Sequence, residues 1–196
     1  MKTLSLLLLL FYSLIANAQS GHTNNIYATE NLGFGNYRGT SISVIYQRDE
    51  RFSFQLDNIG MKRRFRDFPS PHFGKPSILP IKRFYSYGFH FGYTVVYNPV
   101  KHYRVSVKAG AIYSKIYTPY NVSYVPESVF LFFVPVKAYY HYDTHESESW
   151  GLSTEVAMEL PLRENIGLSI GAFLRTGRGL AAYGIQVSLM LGFLYH

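Results

Sequence analysis

Toward the C-terminus every second residue is apolar or aromatic. Tyr183, Ile185, Val187, Leu189, Leu191, Phe193 and Tyr195 alternate with Gly184, Gln186, Ser188, Met190, Gly192 and Leu194. A period of two sends the first set to one face of a strand and the second to the other. The first face has aromatics at both ends and aliphatics between them, as on a strand whose outside crosses a bilayer between two interfacial belts. This pattern predicts a membrane-spanning β-barrel.

The same alternation recurs upstream. Ile166, Leu168, Ile170, Ala172 and Leu174 form an outer set against Gly167, Ser169, Gly171, Phe173 and Arg175, and Thr176-Gly177-Arg178-Gly179 turns that strand into the last one. Trp150 to Leu160, Tyr103 to Tyr113, Phe84 to Tyr97, Arg51 to Ile59 and a strand carrying Ile42, Val44 and Tyr46 follow the same rule. An even strand number requires an eighth. Ile26 to Phe34 is chosen over Val129 to Tyr142, because Pro135 does not suit the inside of a closed ladder. That choice also puts the short connections Arg48-Asp49-Glu50, Asn98 to Lys101 and Pro161 to Asn165 at one, periplasmic, end. The fold class is then all-β, an eight-stranded antiparallel transmembrane β-barrel. Gly60 to Arg83 and Lys115 to Ser149 become its two long extracellular loops, with Val129 to Tyr142 an extended hairpin arm. The aromatic-rich outer face argues against the third option, a soluble lipocalin-like barrel, which would hold its apolar face inside.

Composition adds an address. Residues 1–18 carry one charge, Lys2, then an apolar run from Leu4 to Ile15 and the small-residue site Ala16-Asn17-Ala18, the pattern of a cleaved signal peptide. Residues 19–196 are then the barrel domain, with a net charge of +6 once Lys2 is removed from the +7 of the whole chain. The absence of cysteine excludes a disulfide scaffold and Cys-based chemistry.

Inner positions carry the candidate chemistry. A register in which Arg104 faces Glu159 also sets Lys108 opposite Glu155, so a lumen occluded by paired polar side chains is expected. His90 faces the same interior. His141, Asp143 and His145 share a face in an extended segment, a weak metal signal that a polar loop tip also produces; no metal or cofactor is assigned. No Ser-His-acid spacing marks a nucleophile. The segment Gly60 to Arg83 holds Lys62, Arg63, Arg64, Arg66, Lys75, Lys82 and Arg83 against Asp67, with Phe65, Phe68 and Phe73 between them. Lys62, Arg63, Arg64 and Arg66 are the expected anion-binding loop, suited to lipopolysaccharide phosphates; nucleic acid does not fit an exported barrel.

The signal ending Ala16-Asn17-Ala18-Gln19, the eight alternating strands and the terminal Leu191-Gly192-Phe193-Leu194-Tyr195-His196 resemble small outer-membrane barrels of the OmpA-like or OmpX-like porin superfamily, of the kind common in Bacteroidota. The resemblance implies an outer-membrane location, and insertion by the barrel-assembly machinery, which recognises a terminal aromatic; here His196 follows Tyr195. It implies a structural or interaction role, with an envelope or host ligand at the external loops. The alternative is an outer-membrane enzyme acting on lipid A or peptide.

Overall fold

A computed structural model describes residues 24–64, 79–98, 103–125, 128–129, 135–136 and 139–194. The proposed signal segment, Arg66 and Tyr195 lie outside the described residues.

Eight strands close into one antiparallel barrel: β1 (Asn24–Gly35), β2 (Arg38–Arg48), β3 (Phe52–Arg64), β4 (Ile81–Asn98), β5 (Tyr103–Val125), β8 (Tyr139–Arg163), β9 (Ile166–Gly177) and β10 (Leu180–Phe193). Two short strands, β6 (Ser128–Val129) and β7 (Pro135–Val136), pair only with each other. β1 bonds to β2 on one side and β10 on the other, so the N-terminal strand closes the ring.

Cross-strand partners define the barrel's slant. The chain of pairs Asn25, Gln47, Ser53, Gly92, Lys108, Glu155, Phe173 and Gly184 returns to β1 at Gly35, ten residues above its start. Ten residues of strand rise over eight strand spacings correspond to a tilt of about 40°. Turn chemistry supports the ring. Asp49 and Glu50 both have positive φ, 51° and 56°, in the β2–β3 turn, and Gly179 at +73° completes the β9–β10 turn.

The wall has the predicted polarity. Leu56, Tyr87, Phe89, Ile170, Ile185 and Leu191 are exposed outward, while Gln55, Ser86, His90, Ser106 and Ser188 are buried within. Tyr87, Tyr113 and Trp150 stand side by side on β4, β5 and β8, with the Tyr113 and Trp150 rings 5.3 Å apart. Tyr103, the first residue of β5, shares the outward face of Tyr113 ten residues toward the short-turn end. Just past Trp150 the surface becomes charged: Lys115 lies 2.9 Å from Glu148 and 3.4 Å from Glu146. An aromatic girdle followed at once by ion pairs marks the edge of the apolar band.

Four expectations change. Lys115 to Ser149 is not a loop that begins at the girdle: β5 and β8 stay paired as far as Val125 and Tyr139, forming an arm of two long strands. Tyr139 to Tyr142 belongs to β8 and not to a separate hairpin. Likewise Gly60–Arg64 completes β3, and Ile81–Arg83 begins β4. The period-2 pattern fades there because the outward face of a strand above the membrane meets water instead of lipid and need not be apolar, while backbone pairing continues. Finally, a bulge between Thr94 and Val96 leaves both Val95 and Val96 exposed and sets Tyr97, itself 44% exposed, opposite inward-facing Arg104, so the strict alternation ends at Val95.

Candidate functional site

The interior has two apolar ends with charge between them. At the short-turn end Tyr27, Ile45, Met190 and Leu194 are buried together. At the arm end Tyr37, Ile59, Met61, Phe84, Ile112, Ile116, Phe173, Leu180 and Ala182 form a larger plug. The expected filling was polar throughout. Each plug gathers one or two inward apolar residues from several strands, so no single strand shows it.

The structure brings Arg104, Lys108, Glu155 and Glu159 into one cluster. Arg104 pairs directly with Glu159, and Lys108 Nζ lies 3.2 Å from Glu159 and 3.4 Å from Glu155. Glu159 also accepts a hydrogen bond from the Tyr27 hydroxyl at 2.9 Å and a longer one from Ser106 at 3.4 Å, so it is the hub. Gly92, across from Lys108, makes room: a Cβ there would fall 2.2 Å from Ser53 Oγ and 2.9 Å from Lys108 Cγ.

Two further buried groups were not paired by sequence reasoning. His90 Nδ1 is 3.1 Å from Asp57 Oδ2, and Gln55 donates to the other Asp57 oxygen at 2.8 Å. A β3–β4 register would have revealed this diagonal pair, since Gln55 faces His90 and Asp57 faces Gly88. Arg175 stacks over the Phe173 ring at 4.4 Å and donates to Met61 Sδ at 3.7 Å. Among the described residues the buried cations Arg104, Lys108 and Arg175 thus equal in number the buried carboxylates Asp57, Glu155 and Glu159. Ser86 and Ser114 bond each other at 2.6 Å. This set is arranged for mutual neutralisation.

His141, Asp143 and His145 lie on the exposed arm of β8. Asp143 accepts a hydrogen bond from Asn121 at 3.2 Å, and the His145 ring meets Tyr120 edge-on. Among the described residues no three His, Asp or Glu side chains converge on a metal-sized site.

Below the arm tip, the Tyr113 hydroxyl and the Lys115 ammonium hold the exposed Glu148 carboxyl below its ordinary value. A depressed carboxylate contributes above that ordinary value, and its contribution disappears as pH falls through the lowered one. Amide exchange in the arm, corrected for its intrinsic pH dependence, is therefore expected to stay constant down to the usual carboxylate range and to rise only below it. Lys115→Gln should shrink that rise, because the Glu148 carboxyl then moves back toward its ordinary value. A rise of unchanged size in Lys115→Gln would show that the pair does not hold the arm.

The cationic residues form a site different from the expected loop. Lys62, Arg63 and Arg64 are on β3, not in a connection; Arg66 is outside the described residues. Arg38, Lys62 and Arg83 are direct cross-strand neighbours on β2, β3 and β4, all exposed. Like charges directly opposite one another are unfavourable in a ladder without an anion, and no described carboxylate pairs with any of the three. On the alternate face Arg63 is opposite Lys82, whose ammonium is pushed down by burial and by that guanidinium. A cavity of about 580 Å³ is lined by Gly35, Asn36, Arg38, Lys62, Arg63, Arg64 and Ile81. Beside Arg83 a second hollow, of about 350 Å³, is lined by Tyr85, Tyr117 and Tyr142.

No protein-family model and no curated protein sequence matches this chain. Among solved structures it is similar to Neisserial surface protein A at 12% identity and a TM-score of 0.53, covering 89% of this chain and 98% of that one. It is also similar to the N-terminal β-barrel domain of Pseudomonas aeruginosa OprF, at 10% identity, TM-score 0.45 and coverage of 87% and 97%. The Yersinia pestis outer membrane protein Ail, in a bilayer nanodisc, matches at 9% identity, TM-score 0.47 and coverage of 88% and 99%. With the closed ring and its apolar outside, the likeness to the Neisserial protein is one of fold: an eight-stranded antiparallel transmembrane β-barrel.

Proposed function

We propose that the chain is an outer-membrane barrel of the OmpA-like or OmpX-like kind, exported by a signal peptide and inserted by the barrel-assembly machinery, with an interaction role at its cationic end. The short turns and both strand termini then face the periplasm, and the β5–β8 arm faces outward. The lumen is occluded, so reconstituted protein is expected to give no ion conductance; stable unitary currents would sink that part of the reading.

The observation that carries the proposal is the Arg38–Lys62–Arg83 row. It crosses three strands on the outer wall above the apolar band, at the level of the outer-leaflet headgroups, and the adjoining cavity adds Arg63 and Arg64. Phosphate groups of lipopolysaccharide satisfy such a row, and the tyrosine-lined hollow beside Arg83 suits the sugar rings next to those phosphates.

The test is lipopolysaccharide binding by the reconstituted barrel with Arg38, Lys62 and Arg83 all changed to Gln. At about 1 kcal/mol for each cation near an anionic surface, the triple change should weaken binding roughly a hundredfold. It should also flatten the salt dependence. Unchanged affinity with unchanged salt dependence would reduce the row to a solvated surface.

A further inference from the structure

Among the described residues, one acidic side chain stands on the lipid-facing wall. Glu30, in the middle of β1, is exposed on the outward face. Its cross-strand neighbours there are Ile42 on β2 and Leu189 on β10, 60% and 39% exposed. On the same wall Phe34 lies four residues toward the arm end, and Phe193, opposite Ile26, closes the stretch toward the short-turn end. No described residue bonds the Glu30 carboxyl. An ionisable group facing hydrocarbon calls for a partner.

Two more polar groups lie nearby. Asn58 is exposed on β3 in the same cross-strand row, with Ile42 between it and Glu30, and Thr40 is exposed one pair further along β2. Two strand spacings, about 9.6 Å, keep the Glu30 carboxyl and the Asn58 carboxamide from meeting within one chain. The patch therefore contains an acceptor and a donor that are complementary but apart.

We propose that the barrel self-associates in the membrane through this patch, as a two-fold pair centred on Ile42. Because the strands tilt by about 40°, a residue one strand over and two residues on lies almost directly above its neighbour along the membrane normal. Ala28, Ile42 and Gly60 make such a column, with Glu30 on one side and Asn58 on the other. A two-fold axis parallel to the membrane normal sets Glu30 of each copy against Asn58 of the partner, since in an isologous contact each residue meets its complement twice. The carboxamide N–H donates and the carboxyl oxygen accepts. Ala28 and Gly60 let the two walls approach closely. A Cβ at Gly60 would touch only the Tyr85 ring, at 3.6 Å, so the barrel's own packing does not demand glycine there. The Arg38–Lys62–Arg83 row stands above the column in the headgroup layer, where anionic lipid supplies its counter-ions; the contact needs no lipopolysaccharide.

The chain has no cysteine, so single thiols report the contact. Ile42→Cys lies on the axis; Val156→Cys, 49% exposed on β8, lies across the barrel from it. The purified mature protein is reconstituted at high lipid dilution in vesicles of phosphatidylcholine and phosphatidylglycerol, and oxidative cross-linking is followed. Ile42→Cys is expected to cross-link at least tenfold faster than Val156→Cys. In the Ile42→Cys background, Glu30→Leu, Asn58→Leu and Gly60→Trp should each lose that advantage, while Glu30→Gln, which still hydrogen-bonds, should keep it. Heat-modifiable mobility checks that each variant is folded, and the three disruptive variants guard against failure of any one. Equal rates at the two thiols, or an undiminished rate in the folded Leu and Trp variants, would overturn the proposal and leave the patch to lipid or to a different membrane protein.

Discussion

Glu159→Ala should lower the stability of the folded barrel by about 3–5 kcal/mol, read as a shift of the urea midpoint in phospholipid vesicles. Glu159 is the shared acceptor for Arg104, Lys108 and the Tyr27 hydroxyl, and its removal leaves Arg104 without a carboxylate and Lys108 with Glu155 alone, at 3.4 Å, inside a sealed wall. The penalty is the desolvation of those cations and not the worth of the bonds themselves. Glu155→Ala should cost less, because Lys108 keeps Glu159 at 3.2 Å. Replacing Lys108 and Glu155 together by Met and Leu should recover most of the single loss, since an apolar pair of similar volume leaves no unpaired charge. A Glu159→Ala barrel as stable as the wild type would mean that water reaches Arg104 and Lys108, against the burial of the whole cluster.

The second large effect is expected at the apolar plug. Phe84 is fully buried and meets the Tyr37 ring edge-on, with centroids 5.2 Å apart. Phe84→Ala should cost about 3–5 kcal/mol, because lipid cannot enter the barrel to fill the cavity. The same truncation at Phe89, on the outer face of the same strand and 52% exposed, should cost much less, since acyl chains take up the vacated space. The contrast between the two phenylalanines, five residues apart on β4, isolates inside from outside. Equal losses would contradict the assignment of the two faces.

The alternation that reveals a spanning strand comes from its having two different solvents, lipid on one side and packed polar groups on the other. It is strongest from Tyr85 to Tyr93 and from Tyr183 to Phe193, where that contrast is sharpest, and it breaks at Val95 because a bulge adds a residue that no sequence period can register. It also stops at Tyr113 and Trp150, although the strands do not. Above the girdle the outward face meets water and no longer lipid, so Lys115 to Val125 and Tyr139 to Ser149 could remain paired without an apolar outer set to show it. The weakness of the period in β1 has a cause as well: Glu30 occupies an outward position that a hydrophobic period would fill with an apolar side chain.

The candidate sites divide in the same way. Arg104 against Glu159 and Lys108 against Glu155 follow from one register between two adjacent strands, a relation that local pattern and turn placement already constrain. Asp57 beside His90, Arg175 over Phe173 and the role of Tyr27 as a third donor to Glu159 depend on curvature across the lumen, which links strands far apart in the chain. The cations of residues 60–83 are visible as a charge run, yet Arg38 joins Lys62 and Arg83 only because β2, β3 and β4 are neighbours in the ring.

By itself the sequence determined the membrane-spanning parts of the strands, their inner and outer faces as far as the β4 bulge and the pairing of the β5–β8 charges, because side-chain period and turn chemistry are local properties. Only the tertiary structure decided the ten-residue slant, the two apolar plugs, the neutral balance of the lumen and the cationic row. Each of these depends on closing the ring, which fixes the height of every strand against all the others at once.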